Sequence, residues 1–268
     1  MLIKTRILTG AILLPLLILF VLFADFFVFS ILVGVITALA LMEFYQMAMP
    51  AEPYTERWLA IAAGTLILLL IAFTAPALQV AGMTFLVLLF ALFYLFSYRD
   101  LQTVVVRLAL VFCGFFYVPL LLGHLTLLRS LPLGREWIFA VLLLVMAGDS
   151  AAYFTGIRFG RRKLYPAISP NKSIEGALGG LAGSVLGIFV AKLTFFGELQ
   201  VFDCLLLGVG VGSLAQLGDL FESMLKRSFG VKDSGKLIPG HGGLLDRLDS
   251  LLFAFAPVYY YALWFFHY

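Results

Sequence analysis

The sequence predicts an all-α integral membrane protein: a polytopic bundle of about nine transmembrane helices, with the N-terminus cytoplasmic and the C-terminus outside. Three observations carry this. Of the 268 residues, 63% are hydrophobic and 12% charged, against roughly 45–50% apolar and about 25% charged in ordinary soluble domains. Apolar stretches of about 20 residues, enough to cross the hydrocarbon core, follow one another along the chain. Finally, with the N-terminus inside, all of the 18 lysines and arginines except Arg129, Arg135 and Lys192 fall on the cytoplasmic side, as positive-inside topology requires. A water-soluble fold is excluded.

The candidate spans cover residues 7–24, 26–42, 58–75, 82–98, 104–128, 137–157, 174–196, 201–225 and 248–267. The first follows Lys4 and Arg6 but has no small-residue cleavage site after it, so it reads as a span and not as a removed signal peptide. The second is short. Prolines mark residues 49–57 (MPAEPYTER) as a loop. Cys113 and Cys204 sit inside apolar runs and indicate neither a disulfide framework nor a cysteine metal site. The chain divides by character. Residues 1–135 are apolar spans whose expected roles are structural, dimerising or lipid-facing, and they hold nothing that suggests chemistry. Residues 136–268 form a catalytic region in which polar residues enter the spans and two cytoplasmic loops, 158–173 and 226–247, are basic. No internal repeat is evident, which counts against a transporter built from inverted repeats.

The eighth span ends AQLGDLFESMLKR, with Gln216, Asp219, Glu222, Ser223 and Lys226 on one helical stripe. Carboxylates inside a span are costly and usually functional, although both acids also lie near enough to the cytoplasmic end to be simply wet. The next loop interleaves Lys226, Arg227, Lys232 and Lys236 with Gly230, Gly235, Gly240, Gly242 and Gly243, before Asp246, Arg247 and Asp249 open the last span. Glycines let a backbone approach a phosphate chain, and cations complement its charge. No Walker loop is present. Asp246 and Asp249 share one face near a helix start, where the dipole alone favours a carboxylate. With Asp219 they offer the hard oxygens that magnesium takes alongside substrate phosphates.

A third element lies in GDSAAYFTGIRFGRRKLYPAISPNKSIEG. Asp149 reads either as a site residue or as an interhelical hydrogen-bonding group. Arg158, Arg161, Arg162 and Lys163 read either as phosphate contacts or as ordinary topology signals. Ser173 is placed to cap the next helix, with Glu175 in its first turn, while Asn171 and Lys172 remain at the membrane surface. His241, between two glycines, is a candidate phosphate contact; His124 and His267 are assigned no role.

These residues resemble the phosphatidate cytidylyltransferases (CDP-diglyceride synthases). Residues 223–249, SMLKRSFGVKDSGKLIPGHGGLLDRLD, are similar to that family's signature at every defined position: S-x-x-K-R, K-D-x-G, P-x-H-G-G and D-R-x-D. Residues 148–176 resemble its D-x-x-A-Y-F-x-G and S-P-x-K-[ST]-x-E-G elements, with Asn171 and Ser173 where many members carry lysine and threonine. The resemblance implies transfer of CMP from CTP to phosphatidic acid in the cytoplasmic leaflet, giving CDP-diacylglycerol and diphosphate in phospholipid biosynthesis. It further implies a Mg2+ cofactor, with or without a second cation, a homodimer, a location in the cell inner membrane, and no nucleic-acid partner.

The catalytic candidates are then Asp219, Asp246, Lys226 and Asp249. Asp219, Asp246 and Asp249 are the metal ligands. Substrate binding falls to Lys172, Ser173, Asn171, Ser223, Arg227, Lys232, Lys236, His241, Arg247 and Asp149. Neutralising Lys172 or Lys226 is expected to weaken phosphate binding and leave the fold intact. The rival functions are a CTP-dependent lipid kinase and a secondary transporter.

Overall fold

A computed structural model describes residues 11, 15–50, 54–97, 100–237 and 242–266. The all-helical, multi-span expectation holds. Residues 15–23 are helical, and nine bounded helices follow among the described residues: α1 (Phe26–Ala48), α2 (Tyr54–Phe73), α3 (Pro76–Ser97), α4 (Val104–Tyr117), α5 (Pro119–Ser130), α6 (Gly134–Phe159), α7 (Ile174–Thr194), α8 (Val201–Ser228) and α9 (Leu245–Trp264). Among the described residues, seven stretches are long and apolar enough to cross a membrane. The expected span over 7–24 lies largely outside those residues. α9, which opens with Asp246, Arg247 and Asp249, is not among the seven.

Two span boundaries differ from expectation. α1 continues six residues past the expected end at 42, and Glu43, the first residue beyond that end, is buried within the helix. The single span expected over 104–128 is broken at Pro119, whose ring and missing N–H interrupt a helix. Val104–Ser130 still forms one apolar stretch of 27 residues.

The chain forms two compact units. One runs through Leu127 and includes the segment Ser234–Leu245. Leu41, Phe44, Tyr45, Leu68 and Val111 are fully buried in it, and the Tyr45 hydroxyl donates to Val111 O at 2.8 Å. Glu56 of α2 pairs with Arg107 of α4 and accepts from the Tyr94 hydroxyl of α3. Arg107, counted in the sequence as a topology signal, is therefore committed to an internal ion pair, the form in which such charges are tolerated among apolar helices.

The other unit comprises Leu128–Asp233 and the chain from Asp246 onward. α7 packs chiefly on α6 and then on α8, presenting a buried stripe of Gly176, Gly180, Gly183 and Gly187 that permits close helix approach. An antiparallel hairpin, β1 (Lys163–Tyr165) and β2 (Ser169–Ser173), joins α6 to α7. No alternating apolar pattern in residues 163–173 reveals it. At one end of the unit, Trp137 packs edge-on against Phe196 and Phe266, and Tyr261 donates to Asp203 at 2.5 Å. The C-termini of α6 and α8 and the N-termini of α7 and α9 carry the polar residues at the other.

Candidate active site

Those four helix ends and the hairpin enclose a cavity of about 800 Å³. Its walls carry Asp149, Asp219, Asp233, Asp246 and Asp249, with Lys172, Lys226 and Arg247 among them. Ala152, Tyr153, Ile157 and Leu164 supply an apolar side, and Tyr153 and Ile157 are themselves 63% and 69% exposed. The cavity is thus charged on one side and continuous with an apolar surface on the other.

Backbone packing sets this arrangement. α8 and α9 meet at Gly218, where a Cβ would fall 2.6 Å from Asp249 O and 3.0 Å from Phe253 Cβ. The close approach that glycine allows brings Asp219, the next residue, beside Asp249. Asp249 counts Asp219, Asp149 and Lys226 among its charged neighbours, and Asp149 counts Asp219, Lys172 and Arg247. Asp149 therefore lies on the cavity wall within this cluster of charges. Gln216, one turn before Asp219, donates to Ala177 O at 3.1 Å and ties α8 to α7.

Each side of the cluster is held by a lysine. Lys172 lies 2.6 Å from Asp219 Oδ2, both partly exposed. Lys226 bridges Asp246, at 2.5 Å, and Glu222. Glu222 is completely buried, so the reading that it is merely wet near the helix end is wrong. Apart from the Lys226 ion pair, neither of its oxygens has a hydrogen-bond partner among the described residues, and the ammonium of Lys226 is what neutralises it. Lys226 is correspondingly a buried structural cation as well as a cavity residue. Neutralising it alone would strand a buried carboxylate, contrary to the expectation of an intact fold.

The remaining site candidates divide. Asn171 and Ser173 line the cavity, and Ser173 caps α7 by accepting from Gly176 N at 3.1 Å, as its position predicted. Glu175 accepts instead from the amides of Arg161 and Arg162, anchoring the hairpin. Ser223 lies outside the lining but its hydroxyl donates to Asp219 Oδ1 at 3.5 Å. Arg227 points away, donating to Val231 O and Ile168 O. Lys232 and Lys236 are exposed and not part of the lining, and His241 lies outside the described residues. Among the described residues, no three His, Cys, Asp or Glu side chains converge to hold an ion by themselves.

Sequence reasoning missed the apolar wall, since Ala152, Ile157 and Leu164 look like any span residue. It also missed Glu43, the one acidic residue of α1, which accepts from Leu244 N and Leu245 N at 3.0 and 2.9 Å. Its only signal was a carboxylate in an apolar run.

Comparison with known proteins agrees with the motif resemblance and extends it to the first half of the chain. The cytidylyltransferase family model matches residues 4–266. A phosphatidate cytidylyltransferase of Thermotoga maritima is 34% identical over 269 residues, covering 96% of this chain and 94% of its own. One from Staphylococcus aureus is 35% identical over 236 residues, covering 84% and 86%. A third, from Haemophilus influenzae, is 47% identical over 130 residues, 46% of this chain and 45% of its own. With the match running through all the helices that build the cavity, this chain belongs to the cytidylyltransferase family.

Proposed function

We infer that the chain is a phosphatidate cytidylyltransferase, joining CMP from CTP to phosphatidic acid with release of diphosphate. The observation that carries this reading is one cavity with clustered carboxylates and cations on one side and an exposed apolar side on the other. A nucleotide triphosphate needs the first and a diacyl lipid the second. The phosphate monoester of phosphatidate has a second pKa of about 6, so it arrives already ionised and needs little help from a base. Its oxygen attacks the α-phosphorus of CTP, the bond from that phosphorus to the bridging oxygen of the β-phosphate breaks, and diphosphate leaves with the electron pair. Alignment and charge neutralisation are the protein's contributions to such a step. Lys172 and Arg247 are the cavity cations we assign to phosphates, and Lys226 holds Asp246 in place.

We assign Mg2+ to Asp219 and Asp246, with Asp249 beside them. Carboxylate oxygens are the donors that magnesium takes when substrate phosphates and water complete its shell, and Asp219, Asp246 and Asp249 all line the cavity. When bound, such an ion neutralises phosphate charge that the lysines alone do not cover.

The inner-membrane location and the cytoplasmic orientation of the site are part of the same proposal, supported by the sidedness of the basic residues. Single cysteines placed at Lys163 and Lys232 should both be labelled from the cytoplasmic face of sealed vesicles; labelling from opposite faces would sink it. Catalysis itself is tested by diphosphate release from CTP, which should require phosphatidate and stop when magnesium is chelated. Release that is independent of lipid would contradict the reading.

A further inference from the structure

Glu43 has no task in the reaction described above. It is 2% exposed in a helix whose other residues are mostly apolar, and burying a carboxylate is unfavourable unless donors meet it. Among the described residues, three donors meet this one. Leu244 N reaches Oε1 at 3.0 Å, while Leu245 N and the Ser234 hydroxyl reach Oε2, each at 2.9 Å. All three belong to the two ends of a single segment, Ser234–Leu245, so one side chain holds that segment where it departs and where it returns.

Two glycines of the signature are explained by the same carboxylate. A Cβ on Gly235 would strike the Glu43 carboxylate, with its Cδ 2.6 Å away, and one on Gly243 would strike Ser234 Oγ first and then Glu43 Oε2, 2.5 Å away. These glycines read in the sequence as room for a phosphate chain; in the structure, Glu43 fills the room at Gly235 and shares it with Ser234 at Gly243. Leu245 opens α9, and Asp246 follows it directly. Amides at a helix start have no partner within the helix, and those of Leu244 and Leu245 take theirs from Glu43.

We propose that Glu43 is a positioning residue for cytidylyl transfer: by fixing both ends of Ser234–Leu245 it sets the start of α9, and with it Asp246, for the nucleotide. The proposal rests on the function inferred above. Glu43→Gln tests it, keeping the volume and one carbonyl acceptor while turning an amide donor toward groups that are themselves donors. In purified protein, amide hydrogen exchange within 234–245 should quicken about tenfold, and kcat/KM for CTP should fall about tenfold or more, the scale of losing charge-assisted hydrogen bonds. KM for phosphatidate should stay within about twofold, and the melting midpoint should fall by only a few degrees, as expected when buried donors lose an acceptor. A purely structural role would not raise the KM for CTP alone.

Gly235→Ala should give the same signature in the parent. In a Glu43→Ala background it should add nothing, because the atoms it strikes are gone. If Glu43→Ala does not fold, Glu43→Gln and Gly235→Ala decide between them. Unchanged exchange in Glu43→Gln, a parental kcat/KM for CTP, or equal changes in both KM values would overturn the proposal. A parent enzyme that places no cytidine on lipid would instead overturn the function, and the exchange measurement would still report whether the anchor exists.

Discussion

Asp219→Asn and Asp246→Asn are each expected to lower turnover by about a hundredfold or more, the scale on which loss of a catalytic metal's charge stabilisation is felt. Both substitutions keep the side chain's size and remove its charge. Neither should unfold the protein. Asp246→Asn leaves Lys226 still paired with Glu222, and Asp219→Asn leaves Lys172 partly exposed to water. Asp249→Asn should cost less, because Asp249 is one of several acids gathered there and one oxygen is already occupied by Ser250 N at 2.7 Å. Steady-state rates on monodisperse protein check this, alongside the magnesium concentration needed for half-maximal rate, which should rise in any variant that keeps activity. Near-parental turnover and magnesium dependence in both Asp219→Asn and Asp246→Asn would remove these residues from the metal site.

Lys226→Met should fail in a different way, losing both activity and stability. Breaking a buried ion pair from one side typically costs about 3–5 kcal/mol, because the abandoned charge remains buried, and here Glu222 is completely buried. The double variant Glu222→Gln with Lys226→Met should recover most of the melting midpoint but little of the activity, since the Lys226–Asp246 ion pair would still be missing. Lys172→Met provides the contrast. Its ion pair is partly exposed, and such pairs contribute about 1 kcal/mol or less, so its fold should be intact while its KM for CTP rises. Thermal melts of the four proteins in one detergent separate these outcomes. Equal stability of Lys226→Met and the parent would show that Glu222 is neutralised by something else.

The contrast between the two lysines marks where the sequence ceases to be legible. Both read as cations on the cytoplasmic side near the membrane surface, and the positive-inside pattern gives them the same meaning. Only packing distinguishes them, because burial depends on how α8 meets its neighbours, and no local pattern encodes that. The cavity acids were legible because carboxylates in apolar runs are rare enough to stand out, and their spacing on α8 and α9 put them on single faces. Arg227, beside Lys226 in the sequence, is exposed and outside the cavity lining, with two of its donors on the Val231 and Ile168 carbonyls.

Helix bounds were legible to within about six residues, the widest differences being the end of α1 at Ala48 and the start of α3 at Pro76. The hairpin at Lys163–Tyr165 and Ser169–Ser173 was invisible because its strands are short and largely exposed, so no buried face constrains their residues to alternate. Similarly, the glycines at 235 and 243 signalled a close backbone approach, correctly, but not to what. A contact spanning some 200 positions of sequence leaves no local trace.

The central claim is that cytidylate, and not a terminal phosphate, is moved onto phosphatidate. Two parallel incubations of the purified protein test it, with phosphatidate and CTP labelled at either the α- or the γ-phosphorus. The account predicts that the α-label enters the lipid fraction as a CDP-lipid while the γ-label is recovered in diphosphate. Entry of the γ-label into lipid would make the protein a CTP-dependent lipid kinase and contradict the account.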